Sequence, residues 1–222
     1  MKYSVSCAQM KAIDRFTIEE IGIPSLVLME RAALEIANRV INQYEKKKIG
    51  IVCGTGNNGG DGIAIGRILF LKRFDVELYL AGDFDKASDQ TKTQLSIARK
   101  LNIPITHTFP EVFEDNTILV DAIFGIGLDR EVDSAYESII TSINNSHATI
   151  LSVDIPSGLS AEEGIPLKSA VKADKTYTIG FHKKGFMNPK AQEFIGELEV
   201  MDIGYPPYRF IKQMMESEET DE

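Results

Sequence analysis

The sequence predicts an α/β fold, a three-layer α/β/α sandwich in which helices cover both faces of a largely parallel central sheet, behind an N-terminal helical lead. Three observations carry that prediction. From Ile49 onward short apolar runs alternate with segments of helical period, three of those runs break into polar turns, and the first quarter of the chain has helical periodicity only. No internal repeat, low-complexity linker or long structureless insertion interrupts the 222 residues. They are read as one domain, 1–222, with an acidic tail over about 212–222 expected to be disordered.

Each element has its own signature. Met10, Ile13, Phe16 and Thr17 recur at helical spacing, and after Gly22-Ile23-Pro24 a longer stripe runs through Leu28, Ala32, Leu34, Ile36, Ala37, Val40 and Ile41. Pro24 suits the first turn of that second helix, where its missing N–H is harmless. A strand over 49–53 leads into a helix over about 61–72, then a strand over 76–80. A helix over 88–101 precedes a short strand near 103–106, and the next strand covers 118–121. A helix near 135–143 leads to a strand over 150–154, and further strands fall at 175–179 and 198–202.

Composition narrows the function. A net charge of −9 argues against a broad electrostatic grip on nucleic acid. No stretch has the apolar length to cross a bilayer, and Met1 to Cys7 lacks the pattern of a secretory signal, so a cytoplasmic protein is expected. Cys7 and Cys53 are too few for a disulfide framework or a thiolate metal site and are read as structural.

In a parallel sheet the ligand lies beyond the carboxyl ends of the strands, and three polar clusters fall there. The first is Gly54-Thr55-Gly56-Asn57-Asn58-Gly59-Gly60-Asp61-Gly62, where a strand hands over to a helix. Free N–H groups at a helix start suit a phosphate, and Gly54-x-Gly56-x-x-Gly59 matches the dinucleotide fingerprint. Asn57, Asn58 and Asp61 add something else, since a carboxylate beside a phosphate calls for a cation or a hydroxyl between them. The second cluster is Asp121-Ala122-Ile123-Phe124-Gly125-Ile126-Gly127-Leu128, and the third is Asp154-Ile155-Pro156-Ser157-Gly158. Each also has a plainer reading, with Asp121 as a turn former and Asp154 as the start of a loop. Three such ends opening on one edge favour a shared site.

These clusters resemble the NAD(P)H-hydrate epimerase, or NAD(P)HX epimerase, family, whose vertebrate members are known as apolipoprotein A-I-binding proteins. The resemblance extends to Gln9-Met10-x-x-Ile13-Asp14, to Leu28-Met29-Glu30-Arg31-Ala32-Ala33, and to Gly180-Phe181-His182-Lys183-Lys184-Gly185. Ala33 stands where the family usually has glycine. The resemblance implies a Rossmann-like fold and an epimerase that interconverts the R and S forms of hydrated NADH and NADPH for cofactor repair. It also implies functional coupling to a separate dehydratase, a bound potassium ion and a homodimer. Carried over by position, substrate contacts fall on Asn57, Asn58, Gly59, Gly60 and Asp61, on Gly125, Ile126, Gly127, Leu128, Asp129, Arg130 and Glu131, and on Asp154. The potassium ligands fall on Asn58, Asp121 and Ser157. Arg130 reads equally well as a phosphate partner or an exposed loop charge.

The implied reaction needs no redox step. The hydroxyl of the damaged ring sits on the carbon bonded to the ring nitrogen, so it can leave as water with help from the nitrogen lone pair; water returning on the other face gives the other epimer. That calls for a proton donor, a group that activates the returning water, and negative charge near the transient cation. Asp154 is the leading acid/base candidate, with Asp61 and Lys183 as weaker ones. Of the histidines, His107 and His147 read as loop or strand-end residues, and only His182 has a minor claim on the site. Two rivals remain open: a dehydrogenase using Asp83 to hold a ribose, and a non-catalytic scaffold.

Overall fold

Chain entry is set by Ser6. Its hydroxyl accepts from the Gln9 N–H while the Gln9 side chain accepts from the Ser6 N–H, a capping box that starts α1 (Cys7–Glu19) just after the two-residue strand β1 (Ser4–Val5). The computed structural model describes residues 4–45, 47–114, 117–207 and 210–211, and the expected tail over 212–222 lies outside them. Helix α2 (Ser25–Gln43) has Pro24 as its N-cap, one position before the expected first turn. Its buried face is Leu28, Met29, Ala32, Ala33, Ile36, Ala37 and Val40. Leu34 departs from the expected stripe: it is 45% exposed, because a face built on steps of three and four residues from Leu28 leaves that position on the outer side.

Strands and helices then alternate: β2 (Ile49–Cys53), α3 (Asn57–Leu71), β3 (Val76–Leu80), α4 (Asp89–Lys100), β4 (Ile105–Thr106), β5 (Ile118–Ala122), α5 (Ser134–Asn144), β6 (Thr149–Val153), β7 (Lys175–Ile179), β8 (His182–Lys183), α6 (Gln192–Ile195) and β9 (Glu197–Met201), as expected except for β8 and the one-turn α6. Among the described residues seven strands form one sheet in the order β4-β3-β2-β5-β6-β7-β9, and every neighbouring pair is parallel. Strands β2 and β5 are buried at every position, as a sheet covered on both faces requires. The short pair β1 and β8, parallel with Val5 opposite Lys183, has no counterpart in the sequence pattern; two residues are too short for any periodicity to register.

The layers are unequal. Helices α2, α3 and α4 pack Ile36, Val40, Ile63, Leu69 and Leu95 against Ile49, Ile51, Leu78 and Val120 on one face. On the other, Ile140 and Ile143 of α5 join Val52, Tyr79, Phe113 and Leu119. Helix α1 reaches the first cluster through Ile18 near its end, but its buried side faces elsewhere. Its Met10 and Ile13 cluster with Val5 and Ile211, beside Ile126, Phe181 and Tyr205, which follow strand ends. The helical lead therefore divides into a sheet-covering helix, α2, and one standing at the carboxyl edge, α1.

The chain winds outward from β2 through β3 to β4, then returns to place β5 on the other side of β2. That reversal opens a crevice beyond the ends of β2 and β5. The Gly54 N–H donates to the Ala122 carbonyl at 3.0 Å across the two ends, and any Cβ on Gly54 would fall on the Ile123 carbonyl.

Candidate active site

At this crevice lies a pocket of about 500 Å³. Its floor is the start of α3, which begins four residues earlier than the expected position 61, at Asn57 with Gly56 as N-cap. Most of the glycine run is thereby helix, and its glycines serve packing. A Cβ on Gly62 would sit 2.5 Å from that of Ala122, and one on Gly60 would sit 2.7 Å from both Met29 Cε and Thr91 Oγ1. The Gly60 N–H is committed to the Gly56 carbonyl, so Gly60 offers a ligand little, contrary to its place among the expected contacts. Gly59 likewise abuts the Gly54 backbone. Gly56 differs, since a Cβ there would meet nothing within 4 Å. Its carbonyl accepts from Thr91 Oγ1 at 2.8 Å and that of Thr55 from the Ser88 N–H at 3.0 Å, so the loop turns its carbonyls to α4 and leaves the first N–H groups of α3 to the pocket.

One wall is the loop after β5. Of the residues expected to contact substrate, Gly125, Ile126, Gly127, Leu128, Asp129 and Arg130 line the pocket, together with Phe124, whereas exposed Glu131 does not. Arg130 at this rim is joined by Lys11 of α1, which sequence reasoning missed. The other wall comes from the ends of β6 and β7, with Asp154, Ile179 and Lys183. Strand β6 ends abruptly: Asp154 has φ 65°, and the Ile155 N–H reaches over it to the Val153 carbonyl at 2.8 Å, closing a three-residue turn. Aspartate tolerates this left-handed conformation better than most residues, and strain of this kind gathers at functional sites.

Besides Asp129 on the β5 loop, three carboxyl groups line this pocket: Asp14, Asp61 and Asp154. Lys183, 2% exposed, is the cation set among them. Its ammonium lies 2.8 Å from Asp154 Oδ1, 2.8 Å from the Ile179 carbonyl, 3.0 Å from that of Phe181 and 3.1 Å from Thr178 Oγ1. Four oxygens already outnumber its three protons. Lys183 thus anchors Asp154, whose Oδ1 also accepts from the Ile179 N–H at 3.2 Å, and it has no proton to spare for a substrate. Asp61 is different. Burial, then the charges of Asp154 and Asp14, push its carboxyl well above the usual range and so favour its neutral form. Asp14 is also raised by burial, an effect opposed by the hydrogen bond it accepts from Tyr205 Oη at 3.0 Å.

Asp121 and Ser157 lie beneath the pocket rather than on its wall. Asp121, 1% exposed, accepts from Ser157 Oγ at 2.5 Å, from the Ser157 N–H and Ser152 Oγ at 2.8 Å each, and weakly from the Ile123 N–H. Burial raises its pKa against the pull of these donors. Asn58 does line the pocket, and its buried Nδ2 finds no hydrogen-bond partner. Among the described residues no three His, Cys, Asp or Glu stand close enough to hold a metal ion. Other candidates fall away from the site. Asp83 caps a short turn through the Asp85 N–H and pairs with Lys86, and His182 does not line the pocket. Burial pushes the Cys53 thiol up, which agrees with a structural role.

Sequence reasoning missed Asp14 and Tyr205 as pocket residues. Asp14 carries a legible signal, a carboxylate at the i+4 position from Met10 on a buried stripe. Tyr205 stands in irregular chain with no pattern to mark it.

Comparison with known proteins adds an independent line. The family model described as YjeF-related protein N-terminus matches residues 25–185. The NAD(P)H-hydrate epimerase of Oenococcus oeni is 42% identical over 206 residues, covering 91% of this chain and 98% of the relative. That of Limosilactobacillus fermentum is 42% identical over 200 residues, covering 90% and 96%, and that of Levilactobacillus brevis is 40% identical, covering 92% and 95%. The crystal structure of yeast ynu0, YNL200c, superposes with a TM-score of 0.78 over 89% of this chain and 87% of its own, at 20% identity, and so speaks for the fold.

Proposed function

The chain belongs to the NAD(P)H-hydrate epimerase family that carries the YjeF-type N-terminal domain, and on that premise we propose that this pocket interconverts the R and S epimers of hydrated NADH and NADPH. The protein is an isomerase. One observation carries the reading at the level of chemistry: Asp61, a buried carboxyl that burial pushes up, shares a pocket with Asp154, a carboxylate ion-paired to Lys183. A buried carboxyl beside an ion-paired one lets the two divide the work of proton donor and electrostatic stabiliser.

Asp61 is the proton donor to the departing hydroxyl. The carbon–oxygen bond breaks with its electron pair going to oxygen, and the ring nitrogen lone pair forms the iminium. Asp154, held by Lys183, lends the negative charge that steadies this cation. This divides the acid/base work that sequence alone placed first on Asp154. The diphosphate is met by the N–H groups of Asn57 and Asn58 and by Arg130, and the Ile126 to Leu128 loop flanks the ribose. The apolar side of the pocket, Leu28, Met29 and Ala32 of α2, receives the ring and shields it from bulk water.

Potassium fits the residues present. Asp121, Ser157 Oγ and the Phe124 carbonyl, 3.4 Å from Ser157 Oγ, offer hard oxygens, and rotating the Asn58 amide turns its oxygen to the orphaned position now held by Nδ2. A single carboxylate among neutral oxygens suits a monovalent ion. When bound, the ion would supply positive charge beside the Asp121 carboxylate for an anionic substrate. We also propose a single epimerase domain over the chain, cytoplasmic action, hand-over to a dehydratase, and a homodimer. Supporting the last, α2 buries its stripe on the sheet yet exposes Val27 and Leu34 on its outer side.

The test is chromatographic. One purified hydrate epimer is incubated with and without protein, in potassium and in a potassium-free buffer, and spontaneous interconversion is subtracted. Faster approach to the epimer equilibrium, enhanced by potassium and without change in near-ultraviolet absorbance, is expected. Rates equal to buffer alone would refute the activity, and hydride transfer to a carbonyl substrate would favour the dehydrogenase.

A further inference from the structure

An epimerase must work on both faces of one ring, and Asp14 brings a further carboxyl to the pocket from its own element. We propose that Asp14 is a catalytic residue, the carboxyl that takes the proton of the returning water, and that Tyr205 is its positioning residue. The proposal rests on the epimerase reading. Asp14 lines the same pocket as Asp61 and Asp154 but arrives from a separate element, α1, which stands at the carboxyl edge of the sheet. Asp14, Asp61 and Asp154 act on one another's charge, so a ring bound among them meets carboxyls from both α1 and the strand ends.

Several contacts hold Asp14 in place. Tyr205 Oη donates to Asp14 Oδ1 at 3.0 Å. The Tyr205 ring stacks on Phe181 and lies against Gly180, where φ is 72° and a Cβ would come within 2.6 Å of two ring carbons. Helix α1 is itself pinned: β1 pairs with β8, the strand that carries Lys183, and the Cys7 N–H donates to Glu162 Oε2 at 3.0 Å. Such anchoring is what a reacting group needs to hold its geometry.

The proton account balances. Asp61 gives its proton to the hydroxyl, which leaves as water with the bonding pair. A second water adds its oxygen to the iminium carbon from the other face, the nitrogen recovers its lone pair, and that water's proton passes to Asp14. Nothing is oxidised or reduced. The proton has crossed from one carboxyl to the other, and the reverse reaction starts from that state. The groups around Asp14 are Tyr205, Asp154, Asp61, Lys11 and Lys183; the hydrogen bond from Tyr205 holds the Asp14 carboxyl down while burial and Asp154 push it up.

The experiment compares the full-length protein with Asp14→Asn and Tyr205→Phe in the single-epimer assay, recording kcat, KM and the pH profile. Asp14→Asn is expected to lose kcat by about 100-fold or more with KM changed by less than about threefold. Tyr205→Phe is expected to stay active with the acidic limb of its profile displaced to higher pH, because Asp14 loses the bond that held it down. Wild-type kcat in Asp14→Asn, or a loss confined to KM, would overturn the proposal. Should Asp14→Asn fail to fold, Tyr205→Phe decides, since an unmoved limb overturns it as well. An inactive wild type would instead refute the epimerase reading itself.

Discussion

The side chains at the pocket differ in chemistry because they differ in neighbours. Asp61 and Asp154 are both buried aspartates, but only Asp154 has a cation in contact, so Asp61 is the one pushed up. Its folded pKa exceeds the unfolded value, so its contribution to stability is full below the ordinary carboxylate range and is lost as pH rises through the folded value. Asp61→Asn should therefore melt at a higher temperature than the parent near neutral pH, with the gap closing toward pH 4, while interconversion falls by about 10²- to 10⁴-fold. Thermal scans across pH check the first part; a gap that widened in acid would contradict the assignment. Lys183→Met leaves the buried Asp154 carboxylate without its partner and should cost about 3–5 kcal/mol, read from denaturant unfolding. An unchanged midpoint would mean that the ion pair contributes no net stability. The motif residues were legible in sequence because polar types at strand ends stand out. Which of the two aspartates is ion-paired was not, since that depends on a lysine 29 positions beyond Asp154 in the chain.

Helix α3 joins fold and site. Sequence placed its start at position 61 because glycines discourage helix; the structure starts it at Asn57, and close packing against β2, β5 and α4 outweighs the propensity penalty. The glycines thus fall into two kinds. Gly62 faces Ala122, Cys53 and Ile51, so Gly62→Ala should lose about 1–2 kcal/mol net, overpacking minus the helix preference of alanine, and melt several degrees lower. Gly56 faces open space, so Gly56→Ala should keep its melting temperature and raise KM, because the added methyl stands where a diphosphate meets the helix start. A loss of stability at Gly56, or none at Gly62, would reverse that division. Helix α1 shows the opposite limit of sequence reasoning. Its period was clear, but its place at the sheet edge comes from β1 and β8, a pairing of two residues each.

At the scale of the molecule, the alternation of elements predicted the sandwich, and the unforeseen part is how the chain reverses between β4 and β5 to open the crevice. That reversal brings residues 10–14, 55–61, 123–130, 154 and 203–205 around one pocket, so the site is a property of the whole domain rather than of the glycine turn. It also sets the central claim: water leaves and returns within this pocket. The most direct measurement starts from one hydrate epimer in oxygen-18 water and follows the mass of each separated epimer over time. The newly formed epimer should carry heavy oxygen at a rate far above that of buffer alone and of Asp61→Asn. Enzyme-accelerated interconversion that yields an unlabelled second epimer would contradict the account.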